Sequence, residues 1–278
     1  MCPNISVLID QSFPVHIIIL KAIYRGSVLK ICHLSDLHLE FGSMEVPKSN
    51  ADVIVLSGDI HIGTQGIDWA SQFDVPVIYV LGNHEAYGTS LDSLIDQCRV
   101  KANGYEHVHL LENDSIVIEG VRFHGCTLWT DFCLDDSPDV SMKIAEARMN
   151  DFKHILYHGN VLTPQDTQSL HRESRRWLYN SVKHSPEPNN VIVTHHLPSR
   201  SLIQVEYLGS PLTPAFASHC GEFESIANKI AVWCYGHNHD CNEQIDLGIN
   251  FHTNQRGYVE HELVSGFEPQ KIITIDTK

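Results

Sequence analysis

The fold is decided by residues 28–38, VLKICHLSDLH, where an apolar run gives way to an aspartate and a histidine. Two further apolar runs, Val53–Ser57 and Val75–Leu81, end in the same manner, at Gly58-Asp59 and at Gly82-Asn83-His84-Glu85. Short apolar runs bounded by polar and turn residues are typical of buried strands. The sequence therefore predicts three strands, each of which delivers polar side chains at the point where it ends.

Helical segments are predicted between and after these strands. Residues Thr64–Phe73 separate the second and third runs, and Thr64 is suited to cap this helix. A second helix is predicted from Thr89 or Ser90 to Asn103, with apolar residues at i, i+3, i+4 and i+7 on one face. Alternating strands and helices are the pattern of a layered α/β fold.

The rest of the chain adds a hairpin, a long helix and four more strands to this prediction. The hairpin turns at Glu119-Gly120, and the helix begins at Thr163-Pro164, where threonine is the cap and proline takes the first helical position. The segment Leu197–Ala217 is a long loop rich in Pro, Ser and Gly, and loops of this kind are often functional. The predicted strands are Val191–Thr194, Val232–Tyr235, Ile249–His252 and Ile272–Ile275.

Two of these later strands also end in ligand-type residues, at Thr194-His195-His196 and at Gly236-His237-Asn238-His239. Open α/β sheets bind ligands in crevices at the carboxyl ends of their strands, so the five strand ends are expected to meet. Asp36 and His38 are two residues apart and point to one side of an extended backbone, as do His237 and His239. Each pair is therefore predicted to bind metal from one segment. A glycine precedes the ligands in three motifs, which predicts a sharp turn or a close backbone approach.

Composition excludes two classes of partner. The chain has 19 basic and 34 acidic side chains and a formal net charge of -15. Such a surface repels phosphate backbones and anionic headgroups, so non-specific nucleic-acid binding and docking on acidic membranes are not expected. The 19 histidines point instead to metal or proton chemistry.

The cysteines and the N-terminal region carry predictions about compartment and domains. The eight cysteines form no CxxC pair and are predicted to be reduced thiols of a cytoplasmic protein. Cys234 and Cys241 flank the Gly236 motif, but their spacing fits no zinc pattern, so core packing is expected for Cys234. Residues 1–27 are predicted to be an N-terminal extension of uncertain order, and residues 28–278 the domain. The apolar run Phe13–Leu20 is too short to span a membrane.

The five strand-end motifs, in their order along the chain, resemble those of the calcineurin-like metallophosphoesterases. The resemblance covers residues 36–239 and implies a four-layer α/β/β/α sandwich with two mixed sheets. It also implies two divalent or mixed-valence transition-metal ions, for which Mn, Fe, Zn, Ni and Co all fit the ligand types. The implied ligands are Asp36, His38, Asp59 and His239 for one ion, and Asp59, Asn83, His195 and His237 for the other, with Asp59 as the bridge.

Further site residues follow from the resemblance and from proximity in sequence. The resemblance implies that His84 contacts the scissile phosphate and acts as a general acid. Glu85 is expected to hydrogen-bond a nearby imidazole, and His196 to lie behind the ligands or in the loop. The remaining candidates for substrate contact are Tyr87, Arg200 and Arg256, the last through a bidentate phosphate contact, although packing or solvated roles fit these three equally well.

The function predicted from these residues is that of a dinuclear metal-dependent phosphohydrolase, either a phosphodiesterase or a phosphatase. A metal-bridging hydroxide would attack phosphorus in line. The substrate would be a small phosphorylated molecule. No membrane partner is expected, and a nucleic acid partner is not favoured. A metal-dependent nuclease and a catalytically silent scaffold of the same fold are the alternatives. The physiological substrate, the preference for monoesters or diesters, the metal identity and the oligomeric state stay open.

Overall fold

The computed structural model describes residues 28–135 and 137–277, so the predicted N-terminal extension, residues 1–27, lies outside the described residues. Within them the strands in chain order are β1 (Val28–Leu34), β2 (Val53–Ser57), β3 (Val77–Val80), β4 (Val108–Leu110), β5 (Asp114–Ile118), β6 (Val121–Cys126), β7 (Leu156–Tyr157), β8 (Asn160–Val161), β9 (Asn190–Thr194), β10 (Ile230–Cys234), β11 (Gln244–Asp246), β12 (Ile249–His252), β13 (Gly257–Tyr258), β14 (Glu262–Leu263) and β15 (Ile272–Asp276). The α-helices are α1 (Gln65–Ala70), α2 (Leu91–Ala102), α3 (Pro138–Arg148), α4 (Asp151–His154) and α5 (Pro164–Lys183). Short 3₁₀ turns lie at His84–Ala86, Arg200–Leu202, Val205–Tyr207, Thr213–Ala215 and Gly221–Lys229.

Eleven of these strands form two mixed sheets. The first sheet has the order β15-β1-β2-β3-β4, in which β1 to β4 are parallel and β15 is antiparallel. The second has the order β11-β12-β10-β9-β6-β5, in which the four inner strands are parallel and both edge strands are antiparallel. Parallel inner strands bring their carboxyl ends to one edge, which is where the site is built.

Three apolar layers separate four structural layers. On β1 the side chain of Ile31 faces the second sheet, whereas Cys32 and Leu34 face the helices, because successive side chains of a strand point to opposite faces. Val53 and Val55 of β2 pack with Phe123 and Val193 of the second sheet in the middle layer. The outer layers pack the sheets against α1 and α2 on one side and against α5 on the other. The predicted α/β/β/α sandwich is therefore confirmed.

Local sequence signals act as predicted at several element ends. Thr163 caps α5 through a capping box with Asp166, and Pro164 takes the first helical position. The hairpin between β5 and β6 turns at Glu119 and Gly120, both of which have positive φ.

None of the described helices has the length and apolar composition needed to cross a bilayer.

Candidate metal centre

Five strand ends converge at one edge of the sandwich and bring together the histidines, carboxylates and amide expected from the sequence. In the first sheet, β1 leads to Asp36 and His38, β2 to Asp59, and β3 to Asn83 and His84. In the second sheet, β9 leads to His195 and β10 to His237 and His239. All of these side chains are buried except that of His239, which is 11% exposed.

The first cluster consists of Asp36, His38 and His239. Its ligand-type atoms all lie within 4.8 Å of one another. His38 Nε2 is 3.1 Å from His239 Nε2, and the latter is 3.7 Å from Asp36 Oδ1. This geometry places one carboxylate and two imidazoles around a single point.

The second cluster consists of Asp59, His195 and His237, with Asn83 beside it. The first three again have ligand-type atoms within 4.8 Å of one another. His195 Nε2 is 3.1 Å from His237 Nδ1 and 3.0 Å from Asn83 Oδ1. The second point is therefore surrounded by two imidazoles, a carboxylate and an amide oxygen.

Asp59 lies between the two clusters. Its Oδ2 atom is 3.4 Å from His195 Nε2 in the second cluster and 3.8 Å from His38 Nε2 in the first. The other oxygen, Oδ1, accepts a hydrogen bond of 2.8 Å from the backbone N–H of His84. One carboxylate oxygen is thus within reach of both points.

Hydrogen bonds at the far side of the rings orient three of the histidines. His195 Nδ1 is 2.9 Å from the carbonyl of Ser57, which can only accept, so Nδ1 carries a proton and Nε2 faces the cluster. His38 Nδ1 likewise faces Glu40, at 3.2 Å, and His239 Nδ1 faces Glu262, at 3.4 Å. Carboxylate or carbonyl partners of this kind are the usual support of metal-bound imidazoles.

The donor set fits cations at both points. With the ring protons on Nδ1, the Nε2 lone pairs of His38 and His239 face each other at 3.1 Å, and a bound cation relieves that repulsion. The mixture of carboxylate, imidazole and amide oxygen is one that divalent first-row metals accept. Burial, together with the neighbouring His196 and His195, holds the pKa of His237 well below its usual range, so this ring is a neutral donor.

Five of the residues in the two clusters have a strained backbone. Asp36, His38, Asp59, His237 and His239 all have φ between 45° and 80°, in the left-handed region that side-chain-bearing residues rarely adopt. The pair Asp36 and His38 and the pair His237 and His239 do converge as expected, but through tight turns past the strand ends. The extended backbone from which the sequence argument predicted their direction is absent at these positions. Strain of this kind is typical of functional sites.

Glu40 and Tyr258 bracket His84 and were not predicted from the sequence. Glu40 Oε1 is 3.1 Å from His84 Nδ1, and Tyr258 Oη is 3.2 Å from His84 Nε2. Burial lowers the pKa of His84, but Asp59 and Glu40 outweigh burial and raise this pKa to about 9. His84 is therefore protonated at neutral pH, which is the state that a general acid needs.

Asp151 and Tyr87 orient Asn83. The amide Nδ2 of Asn83 donates to Asp151 Oδ1 at 2.8 Å and to Tyr87 Oη at 3.2 Å, which turns its Oδ1 toward His195. Tyr87 also donates a 2.8 Å hydrogen bond to Asp151. Asp151 belongs to α4, an element that no sequence pattern predicted, and it is 2% exposed.

A cavity of about 820 Å³ opens above the two clusters. Asp59, His84, His237 and His239 are among the residues at its base. Its walls include aromatic side chains from several elements, namely Phe41, Tyr87, Tyr207, Phe216 and Tyr258. The segment Leu197–Ala217, predicted to be a functional loop, supplies one wall, and Tyr87 lines the cavity as the sequence suggested.

Of the four other candidates, Glu85 does not make its expected contact, Arg200 and Arg256 make packing contacts, and His196 lies behind the centre as expected. Glu85 contacts no imidazole: its carboxylate accepts hydrogen bonds from the backbone N–H groups of Asp59, Ile60 and Gly82 and from the Tyr79 hydroxyl, and so ties two strand ends together. The guanidinium of Arg256 donates to the carbonyls of Leu37, Gly42 and Ser43, and that of Arg200 pairs with Asp135. Neither arginine lines the cavity, because neighbouring acceptors hold both side chains elsewhere. His196 is buried behind the centre, where its ring packs 4.2 Å from that of His237.

Comparison with known proteins gives a family and a fold. A sequence model of the calcineurin-like phosphoesterases matches residues 29–241. An uncharacterised protein of Acanthamoeba polyphaga mimivirus is 30% identical over 217 residues, with 72% of this chain and 74% of that protein covered. The crystal structure of phosphopantetheinyl hydrolase from Mycobacterium tuberculosis superimposes with a TM-score of 0.61 at 17% identity and covers 84% of this chain and 91% of that one.

Proposed function

We propose a substrate class and a mechanism from the premise that this chain belongs to the calcineurin-like phosphoesterase family and is a metal-dependent phosphoesterase. In this proposal it hydrolyses a phosphate ester of a small molecule at a two-ion centre, as a phosphodiesterase or a phosphatase. The observation that carries it is the position of Asp59 Oδ2, which is 3.8 Å from His38 Nε2 and 3.4 Å from His195 Nε2 at the base of a large cavity.

The two clusters divide the ligands between two ions. Asp36, His38 and His239 would hold one, and Asn83, His195 and His237 the other, with Asp59 shared. Divalent ions at such a site supply an activated water and offset the negative charge that develops on the phosphate oxygens. A silent scaffold would be expected to lack ligands, whereas every ligand that the resemblance implies is present here.

His84 is proposed to donate a proton to the departing oxygen of the ester. It lines the cavity, and the carboxylates of Asp59 and Glu40 raise its pKa. Glu40 accepts from its Nδ1 and fixes the ring, so that Nε2 carries the proton toward the Tyr258 hydroxyl and the cavity. A leaving group protonated in this way departs as a neutral alcohol.

The cavity favours a small substrate with an apolar portion. Phe41, Tyr87 and Phe216 line it and offer faces for an aromatic or aliphatic group beyond the phosphate. Aromatic side chains bury large apolar areas with little loss of conformational freedom. The net charge of -15 works against a nucleic acid polymer as the substrate.

The mechanism is tested with ester pairs that differ in leaving group. His84→Gln is expected to retain its metal content and to lose about 10²–10⁴-fold in kcat on an alkyl phosphate ester. The loss on the matching p-nitrophenyl ester should be much smaller, because that leaving group needs no proton. His158→Gln, at an exposed imidazole, is the control. An equal loss on both esters would overturn the role of His84.

The two-ion assignment has its own variant. Asp59→Asn is expected to reduce the content of both ions and to abolish turnover, because Asp59 faces both clusters. Asp74→Asn, at an exposed aspartate, should leave the metal content and the turnover unchanged. Full activity in Asp59→Asn would refute the bridging role.

We also propose that the protein works in a reducing compartment such as the cytoplasm. The seven cysteines of the described residues are free, and five of them are buried in the core. Scattered core thiols without disulfides are typical of proteins that fold under reducing conditions. Fractionation of the source cells tests this, and recovery from an oxidising compartment would contradict it.

A further inference from the structure

A second group of ligand-type side chains lies between the two sheets, beneath the metal centre. His33 of β1, Cys234 of β10 and His252 of β12 are 0%, 0% and 5% exposed, and their ligand-type atoms all lie within 4.8 Å of one another. None of them faces the cavity above the centre. We propose that these three residues form a further metal site, separate from the catalytic centre and suited to Zn²⁺.

Both histidines point the same ring nitrogen at the common centre. His33 Nδ1 and His252 Nδ1 are 2.8 Å apart, while the outer nitrogens have polar neighbours. His33 Nε2 is 2.7 Å from Ser57 Oγ, and His252 Nε2 is 3.4 Å from Glu243 Oε1. Hydroxyl and carboxylate groups behind an imidazole are the partners that orient metal-bound rings.

One orphaned atom supports this interpretation. His252 Nε2 is buried and makes no hydrogen bond with the described residues, although Glu243 lies nearby. When His252 Nδ1 binds a cation, its ring proton must sit on Nε2, and the increased acidity of that N–H strengthens its attraction to the Glu243 carboxylate. Metal binding would thus strengthen the contact of this nitrogen with the Glu243 carboxylate, which Lys271 also holds.

The ligand types specify the class of metal. Two imidazoles and one thiolate are a zinc donor set, and they leave a fourth position for a small ligand. Two imidazole nitrogens on one tetrahedral zinc ion lie about 3.3 Å apart, so the rings separate by about half an ångström when the ion enters. Only the Cys234 thiol proton is released, because His33 retains a ring proton on Nε2, where Ser57 Oγ accepts it. Glu243 offsets part of the remaining positive charge, because its Oε1 is shared with Lys271 Nζ, which lies 2.6 Å away.

The position of the site gives it a structural role. His33 precedes Asp36 by three residues on one sheet, and Cys234 precedes His237 by three residues on the other. A metal bound to both strands would fix the distance between the two sheets directly below the strand ends that carry the catalytic ligands. Loading this site is therefore expected to raise the melting temperature without contributing to the chemistry.

Cobalt distinguishes this site from the catalytic centre, because the catalytic ligands include no sulfur. Metal-free protein is titrated with Co²⁺ while the near-ultraviolet absorption is recorded. We expect a thiolate-to-cobalt charge-transfer band and a total of three Co²⁺ per chain. Protein that binds two Co²⁺ and shows no such band would overturn the proposal, and this readout needs no variant.

Matched cysteine variants assign the band. Cys234→Ser is expected to lose the band and the third ion while it retains phosphoesterase activity. Cys220→Ser, at another buried free thiol, should keep the band, the third ion and the activity. A band that persists in Cys234→Ser would overturn the assignment. If Cys234→Ser does not fold, His252→Gln replaces it and is expected to weaken the third ion alone. Because activity and the sulfur band are separate readouts, failure of this site leaves the catalytic proposal intact.

Discussion

At the scale of single residues, the centre depends on side chains that hold the ligands as much as on the ligands themselves. Asp36 accepts hydrogen bonds from the Ser35 hydroxyl, at 2.5 Å, and from the backbone N–H of His237, at 3.0 Å. Glu85 accepts from three backbone N–H groups at two strand ends. Asp36 therefore ties the turn after β1 to the turn after β10 in the other sheet, whereas Glu85 holds together the turns after β2 and β3 of the first sheet.

Asp151 provides the first residue-scale prediction. Asp151→Ala removes the acceptor that turns the Asn83 amide, so the amide oxygen is no longer held toward the second cluster. We expect a 10–100-fold loss of metal affinity at that cluster and a similar loss of kcat. Tyr87→Phe keeps the contact between Asn83 and Asp151 and should lose much less metal affinity. Equal metal affinity in Asp151→Ala and the native protein, measured by calorimetric titration, would contradict the positioning role.

Glu112 provides a prediction about pH. Burial raises its pKa from about 4.5 to about 7, although hydrogen bonds from the backbone and hydroxyl of Thr127 act in the opposite direction. The folded state then holds the proton more tightly than the unfolded state, so this contribution to stability is complete below pH 4.5 and is lost as the pH rises to about 7.

Glu112→Gln is expected to remove that loss. Between pH 4.5 and 7 the free energy of unfolding of the native protein should fall relative to that of the variant. Urea unfolding of both proteins across this range measures the difference. Parallel pH profiles would show that Glu112 does not titrate in this window.

Sequence reasoning at the residue scale found the residues that form the two clusters but not the side chains that support them. The ligands follow strand ends in recognisable motifs, whereas Asp151 lies 68 positions from the residue it orients and has no motif of its own. Glu40 does carry a signal, since it lies two residues after His38 and accepts from that ring at 3.2 Å. For Arg200 and Arg256 the sequence left packing and substrate contact equally open, because nothing in their local sequence reveals the acceptors that bind them.

At the scale of elements, the strand ends bring the cluster residues together because the turns that follow them approach one another unusually closely. A Cβ atom at Gly236 would lie 2.2 Å from Ser35 Oγ and 2.5 Å from Asp36 Oδ2, far inside van der Waals contact. The sequence argument that a glycine before each motif permits a close approach is therefore correct at this position. The carboxylate of the first cluster occupies the space that any other side chain would need.

Gly236→Ala is expected to displace Asp36 and to lower the metal affinity of the first cluster by about tenfold or more. Gly120→Ala is the matched control, because Gly120 has a φ of 78° and nothing within 4 Å of the added Cβ. That control should lose about 1–2 kcal/mol of stability and no metal affinity. Metal titration and thermal unfolding of both variants test the contrast, and similar metal affinity in the two variants would count against it.

The predicted elements were most accurate where burial gives a clear pattern. Val53–Ser57 and Ile249–His252 have the predicted bounds, and α2 ends within a residue of the prediction. In contrast, α3 has a helix-start signal at Ser137-Pro138 but few apolar residues, with only Ser141, Met142 and Ala145 buried. A helix that buries so little gives no apolar stripe, so periodicity could not find it.

At the scale of the whole molecule, the site exists because two sheets face each other with their carboxyl edges aligned. Each sheet alone provides only part of each cluster: His239 joins Asp36 and His38, and Asp59 joins His195 and His237. Strand patterns predict that each sheet forms, but the pairing of one sheet with the other came from the ordered motifs and their resemblance to a family. No local signal sets the distance between β1 and β10.

The overall charge gives a prediction at this scale. With a net charge of -15, the protein is expected to bind duplex DNA more weakly than about 10⁻⁴ M, the weak end of ordinary non-specific binding, at physiological salt. Fluorescence anisotropy with a labelled duplex at two salt concentrations measures this. Tighter binding that weakens steeply with salt would favour the nuclease over an enzyme acting on small molecules.

The central claim is that two cations lie on either side of Asp59, and anomalous X-ray diffraction from crystals grown with Mn²⁺ tests it most directly. We predict two peaks about 3.5–4 Å apart, one beside Asp36, His38 and His239 and the other beside Asn83, His195 and His237, with Asp59 Oδ2 between them. A single peak, or peaks away from this carboxylate, would contradict the account.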